Sequence, residues 1–409
     1  MPTETLSVDN RQHHLWSSLP DDIIFDLFSR LGLPREAVIT VSTTKFIIKQ
    51  ILKPTYNIYE FWTALDNFFT VFIPPLINTF CLNLHTDHYD EPRCWPIIDA
   101  WARRLSTYNI QHFTANKFCR YRSDDHVYPI SIFRMHSLVS LELNLCPHIA
   151  LNAPRYINLP NLKKLILYSI NYRSLKALLS CCPSLEYLFL SVNEPKYRLV
   201  SLTSKKLKRL CITLEGPDIH DVVIDAPILE KLDYSSKSIL SMPMLDKISN
   251  VKSLELRVCS TNLGRNLIFK RTFIFPNLTR LQLTMCSPEI FKAIGLMVHC
   301  PKLDVFVLRV INPNKMVWNQ EAVFVPVEHV KRIELHTGTL FNQFGEEMLN
   351  LVTLLLRSAK VLEKLILMAC GSLSNYTHLA KNKFYRALYE CVEATSRCQV
   401  KFLGAYKRT

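Results

Sequence analysis

One hydrophobic pattern recurs ten times along the chain. Apolar residues take the first, fourth and sixth places of a six-residue unit, and a proline often precedes it. The units begin at Leu138, Leu162, Leu185, Leu207, Leu229, Val251, Leu278, Leu303, Val330 and Leu362. The first reads Leu138-Leu141-Leu143 and the last Leu362-Leu365-Leu367. The last two apolar places alternate with period two, so both face one side of a short strand. One such strand cannot bury its leucines alone. Stacking the units merges the leucines into one core and pairs successive strands in parallel.

The starting positions lie 22 to 32 residues apart, mostly within the period of leucine-rich repeats. The returns carry helical patterns. Tyr172 to Ser180 places Leu175, Leu178 and Leu179 at helical spacing. Ile290 to His299 does the same before Pro301, and Gly345 to Ala359 does so with Met348, Leu351, Val352 and Leu355. The pattern predicts an α/β leucine-rich-repeat solenoid, with parallel strands and helical or irregular returns. A less regular lead-in, residues 54–136, predicts a strand at Phe80-Leu82-Leu84. It also predicts a helix from Trp95 to Leu105 with Ile98, Trp101 and Leu105 on one side.

The N-terminal segment predicts a small helical module over residues 15–53. A helix follows Pro20, opens with Asp21 and Asp22, and aligns Ile23, Ile24, Leu27, Phe28 and Leu31 on one face. A second helix is expected from Pro34, burying Ala37, Val38 and Val41.

Composition narrows the function. Glycine occurs 8 times in 409 residues, and no glycine-rich loop is present to cradle a phosphate. The thirteen cysteines form no C-x-x-C pair, so free buried thiols are expected rather than a zinc site. His13-His14 lacks the companion ligands that a metal needs. Asn67 to Leu84 is apolar but is broken by Pro74-Pro75, which argues against a membrane helix. No nucleophile–base or metal-protease motif appears. The expectation is a soluble cytoplasmic or nuclear protein, not an enzyme, with no cofactor, no metal and no membrane partner.

The three polar places of each unit are expected to line a concave face, where repeat proteins bind partners. They hold ten basic and eight acidic residues, a balance of +2 out of the chain's net +14. Tyr187 and Phe189 are the aromatic residues there. A mixed face with few aromatics speaks against nucleic acid. Lys164, Tyr187, Phe189, Arg209, Cys211, Arg280 and Arg332 are the candidate target-binding residues. Tyr187, Phe189 and Cys211 are the apolar side chains expected to be exposed.

Leu19-Pro20-Asp21-Asp22-Ile23-Ile24, Leu27-Phe28, Leu33-Pro34 and Glu36-Ala37-Val38 resemble an F-box. Leu159-Pro160-Asn161-Leu162 and Leu178-Leu179-Ser180-Cys181-Cys182-Pro183-Ser184-Leu185 resemble the repeats of plant F-box/leucine-rich-repeat proteins. Glu328 to Leu335 and Leu354 to Lys364 resemble the FBD segment of that family, placed at residues 321–403 after repeats at 137–320. The resemblance implies the substrate-recognition subunit of an SCF-type E3 ubiquitin ligase. Leu19, Pro20, Ile23, Ile24, Leu27, Phe28, Pro34 and Val38 would meet a Skp1-like adaptor and its cullin complex, and the repeats would hold a target protein. The run Val41-Ser42-Thr43-Thr44-Lys45-Phe46 departs from the family's Ser-Lys-Arg-Trp pattern. The alternative is therefore a repeat scaffold or decoy that has lost Skp1 binding.

Overall fold

The computed structural model describes residues 38–41, 45–52, 63, 66–67, 77–86, 94–118, 130–144, 156–168, 172–192, 199–214, 221–236, 247–258, 274–285, 295–310, 328–337, 351–356, 359–369, 386, 389–390 and 398–403. The chain divides into two compact units, Met1–Glu194 and Pro195–Thr409.

The first unit holds β1 (Val38–Val41), β2 (Lys45–Leu52), β3 (Thr79–Thr86), β4 (His112–Phe118), β5 (Ser140–Asn144), β6 (Lys164–Tyr168) and β7 (Tyr187–Val192). They lie side by side in chain order. β1 pairs antiparallel with β2, and every later pairing in the unit is parallel. Helices α1 (Cys94–Leu105) and α2 (Tyr172–Ser180) form returns. Both fall where the sequence predicts them. α1 buries Ile98, Trp101 and Leu105, and α2 buries Leu175 and Leu178.

The second unit holds β9 (Arg209–Leu214), β11 (Lys231–Ser236), β12 (Ser253–Val258), β13 (Arg280–Met285), β14 (Val305–Val310), β15 (Arg332–Thr337), β16 (Lys364–Ala369) and β17 (Gln399–Leu403). These are parallel throughout. β8 (Leu199–Thr203) and β10 (Asp221–Asp225) form a separate parallel pair. In the return before β14, a 3-10 turn covers Gly295–His299, and the earlier part of the helix expected from Ile290 lies outside the described residues. Residues 351–356 are helical and bury Leu351, Val352 and Leu355. Met348 lies outside the described residues.

All ten expected strands form, and every first, fourth and sixth place is buried, with none above 5% exposure. Each fully buried leucine contributes about 1.5–3 kcal/mol. Phe80 stacks on Phe113 at 5.1 Å and meets Trp101 edge-on at 6.3 Å, so the core of the first unit opens with aromatics.

A tight turn starts eight of the ten repeats. The amide of the first leucine donates to the carbonyl three residues earlier, as in Leu162 to Leu159, Leu185 to Cys182 and Leu303 to Cys300. That earlier residue is itself buried, whether Met135, Leu159, Cys182, Ala226, Ile248, Phe275, Cys300 or Ala359. Pro160, Pro183, Pro227, Pro276 and Pro301 take the next position, where a fixed φ suits the turn. This explains the prolines that precede the pattern. One residue before ten of the strands, β3 to β6, β9 and β11 to β15, a single carbonyl accepts two amides of the next repeat. The Lys208 carbonyl, for example, takes the amides of Glu230 at 2.8 Å and Lys231 at 3.0 Å. The second polar place begins the strand, and the first belongs to the turn.

The N-terminal module differs from expectation where it is described. Val38 and Val41, expected on a helix, lie in strand β1, paired with Lys49 and Phe46 of β2. Val38-Ile39-Thr40-Val41 is a run of β-branched residues, which lose χ1 freedom in a helix and suit a pleated strand. Leu19, Pro20, Ile23, Ile24, Leu27, Phe28 and Pro34 lie outside the described residues.

Candidate functional site

With the leucines turned inward, the first, third and fifth residues of each strand face the other way. Parallel register aligns them into three rows that cross the strands. In the first unit the rows begin at Thr79, Cys81 and Asn83 of β3 and end at Tyr187, Phe189 and Ser191 of β7. In the second they begin at Arg209, Cys211 and Thr213 of β9.

The first unit's face is largely neutral. Asn83, Asn116 and Asn144 hold one register position in three successive strands. Asn116 Nδ2 donates to Asn83 Oδ1 at 2.9 Å and to Glu142 Oε1 at 3.2 Å. Beyond this ladder lies an aromatic cluster. Tyr168 and Phe189 are 4.8 Å apart, and the Lys164 ammonium sits 5.9 Å from the Tyr187 ring centre. The structure therefore brings together the predicted Lys164, Tyr187 and Phe189. The two aromatic residues are half-buried rather than fully exposed.

The second unit's face is charged. Lys231 pairs with Asp233 at 3.2 Å, Arg257 with Glu255 at 2.9 Å and Arg332 with Glu334 at 2.8 Å. Each pair joins alternate residues of one strand. Glu334 is buried between Arg332 and His336, with His336 Nε2 at 3.2 Å from its other oxygen. A buried carboxylate is tolerated when cations and hydrogen bonds surround it. Burial holds the His336 imidazole below its ordinary pKa, and Arg309 and Arg280 push the same way against the Glu334 bond. Burial raises the Asp233 carboxyl, opposed by Lys231. Burial, then Asp233, pushes the Cys211 thiol up to about 11. Arg209 and Arg280 are exposed, and Cys211 is half-buried. Val307 and Ile366 also face away from the leucine core, yet are 0% and 4% exposed.

Three polar places per unit proved a shifted frame. The first of them, including Lys163, Lys208 and Lys252, lies in the turn ahead of the strand. The row after the last leucine is the one missed, with Asn116, Tyr168, Arg257, Arg309 and His336. Extending the period-two alternation by one step would have found it.

Cys81, Cys181, Cys182, Cys211, Cys300 and Cys398 are thiols outside any disulfide. Cys182 and Cys300 are buried, as expected, and burial pushes both thiols up to about 12. Cys81, Cys181, Cys211 and Cys398 are only half-buried. Among the described residues, no cluster of three metal-ligating side chains occurs, and no helix is long and apolar enough to cross a membrane.

Comparison with known proteins agrees with this architecture. Residues 98–258 match the family model for the leucine-rich repeats of FBD-associated F-box protein At5g56370. The Arabidopsis thaliana "Putative F-box/FBD/LRR-repeat protein At5g25850" is 26% identical over 86% of this chain and 76% of its own length. FBD-associated F-box protein At5g60610 of the same plant is 26% identical over 51% of this chain and 60% of its own. FBD-associated F-box protein At4g10400 is 26% identical over 57% and 56%. No solved structure matches the chain. The parallel strands within residues 98–258 are thus similar to the leucine-rich repeats of an FBD-associated F-box protein, and the relatives that the whole chain resembles are plant F-box/FBD/LRR-repeat proteins.

Proposed function

We propose that this protein is the substrate-recognition subunit of an SCF-type E3 ubiquitin ligase, working in the cytoplasm or nucleus. Its N-terminal segment binds a Skp1-like adaptor linked to a cullin complex, and its repeats hold a target protein on the sheet face opposite the leucines. The chain performs no catalysis itself. It raises the effective concentration of target beside the ubiquitin-transferring subunits. The observation that carries the reading is the similarity to an F-box/FBD/LRR-repeat protein along 86% of the chain. Immobilised full-length protein should capture purified Skp1, and Leu19→Ala with Ile23→Ala should abolish capture. A folded protein that captures no Skp1 removes the ligase role.

The second reading is a repeat scaffold or decoy that has lost Skp1 binding. The β1–β2 hairpin favours it, because Val38 lies in a strand where the F-box resemblance calls for a helix. It predicts that target binds this chain without becoming ubiquitinated when Skp1, cullin and E2 are supplied.

A further inference from the structure

The first outward row of the second unit reads, in register, Arg209, Lys231, Ser253, Arg280, Val305, Arg332 and Lys364. It holds five cations and no carboxylate. We infer that this row is the docking track for an acidic, extended segment of the target protein, laid across the strands with its carboxylates on the row. The inference rests on the proposed role of this face in target binding and adds the chemistry of what binds.

Charge and dimensions carry it. Arg209, Arg280 and Lys364 make no ion pair among the described residues, so their charge is available to a partner. Lys231 and Arg332 are tied to Asp233 and Glu334 in the next row, which leaves the row's other three cations to meet an anion.

The dimensions also fit. From β9 to β16 the row crosses six strand spacings, about 29 Å. An extended chain covers that span in roughly nine residues, with alternate side chains on one side. Its carboxylates would recur about every 7 Å, within reach of long side chains one or two strands apart.

The neighbouring rows select against nucleic acid. Asp233, Glu255 and Glu334 stand in the next row and would repel a continuous phosphate backbone. No Phe, Tyr or Trp lies on this unit's described outward rows for bases to stack on. A peptide can place neutral residues opposite those carboxylates and acids opposite the cations.

The test uses the full-length chain and a fluorescent peptide of roughly nine residues alternating Glu and Ser. Anisotropy is read at about 50 and about 300 mM salt. Binding should be present at low salt and weaken at high salt. It should fall about tenfold or more in the triple variant Arg209→Gln, Arg280→Gln, Lys364→Gln. The control Lys205→Gln, Lys206→Gln, on an exposed turn off the row, should bind like the parent. Circular dichroism and melting check that the triple variant is folded; if it is not, the single variant Arg280→Gln carries the test and should lose binding by a smaller factor.

Equal losses in variant and control overturn the inference, as does tighter binding of a single-stranded oligonucleotide of matched charge. Failure of the ligase reading has a different signature, namely no Skp1 capture while the peptide still binds. If Skp1 and the target are both retained by the triple variant, the ligase reading stands and this track is wrong.

Discussion

Strands β5 and β12 read Ser-Leu-Glu-Leu-Asn and Ser-Leu-Glu-Leu-Arg over their first five residues. Both bury their two leucines, and both turn a glutamate outward. In the first unit, Glu142 is held by the amide of Asn116 on the neighbouring strand. In the second, Glu255 is held by Arg257, two residues along its own strand. The same core-forming pattern thus carries unlike outer faces. The first unit ties its strands together with asparagine side-chain bonds, one of them to the Glu142 carboxylate, and an aromatic cluster. The second neutralises charge within each strand and leaves cations over. A repeat fold separates the two tasks because period-two alternation lets leucines fix the stack while the residues between them vary.

If the two cores are equivalent, equivalent deletions should cost the same. Phe113→Ala in the first unit and Phe306→Ala in the second should each destabilise by about 3–5 kcal/mol, because both rings are fully buried. Denaturant unfolding measures both. A cost below about 1 kcal/mol in one unit would break the equivalence.

The asparagine ladder sets the next effect. Asn116→Ala withdraws the donor from Asn83 and Glu142 and should cost about 1–3 kcal/mol. That cost should change little with salt, since it depends on short hydrogen bonds in a part-buried setting. The charged face should behave differently. Arg257→Ala removes a pair whose arginine is 53% exposed, so it should cost no more than about 1 kcal/mol and less as salt rises. Similar salt responses for the two variants would erase the distinction between the faces.

The smallest effect concerns pH. His336 is held below its ordinary value of 6.5 by burial, so the folded state prefers the neutral ring. Its contribution to stability is present above 6.5 and is lost as pH falls toward and through the lower folded value. Melting temperature should therefore drop less on acidification in His336→Gln than in the parent. An unchanged pH profile would contradict that assignment.

Much of the fold was legible because the leucine pattern is dictated by burial and acts locally. The ten strands, α1 and α2 all follow from spacing. The β1–β2 hairpin did not, since a proline at Pro34 and an apolar face at Ala37, Val38 and Val41 also fit a helix. The β-branched run decides for the strand. The buried turn position also escaped notice, because Ala, Cys, Ile, Leu, Met and Phe all satisfy it. At the candidate site, Lys164, Tyr187 and Phe189 were readable as outward residues. The burial of Val307 and Ile366 was not, because burial on an outer face depends on tertiary surroundings that spacing does not encode.

The central claim is that recurring leucines form a closed interior while the residues between them stay available to a partner. Carbene footprinting of the full-length chain, read by mass spectrometry residue by residue, tests it directly. Arg209, Arg280, Tyr187 and Phe189 should be labelled, with Leu165, Leu188, Leu232 and Leu335 protected. Comparable labelling of the leucines and the residues between them would contradict it.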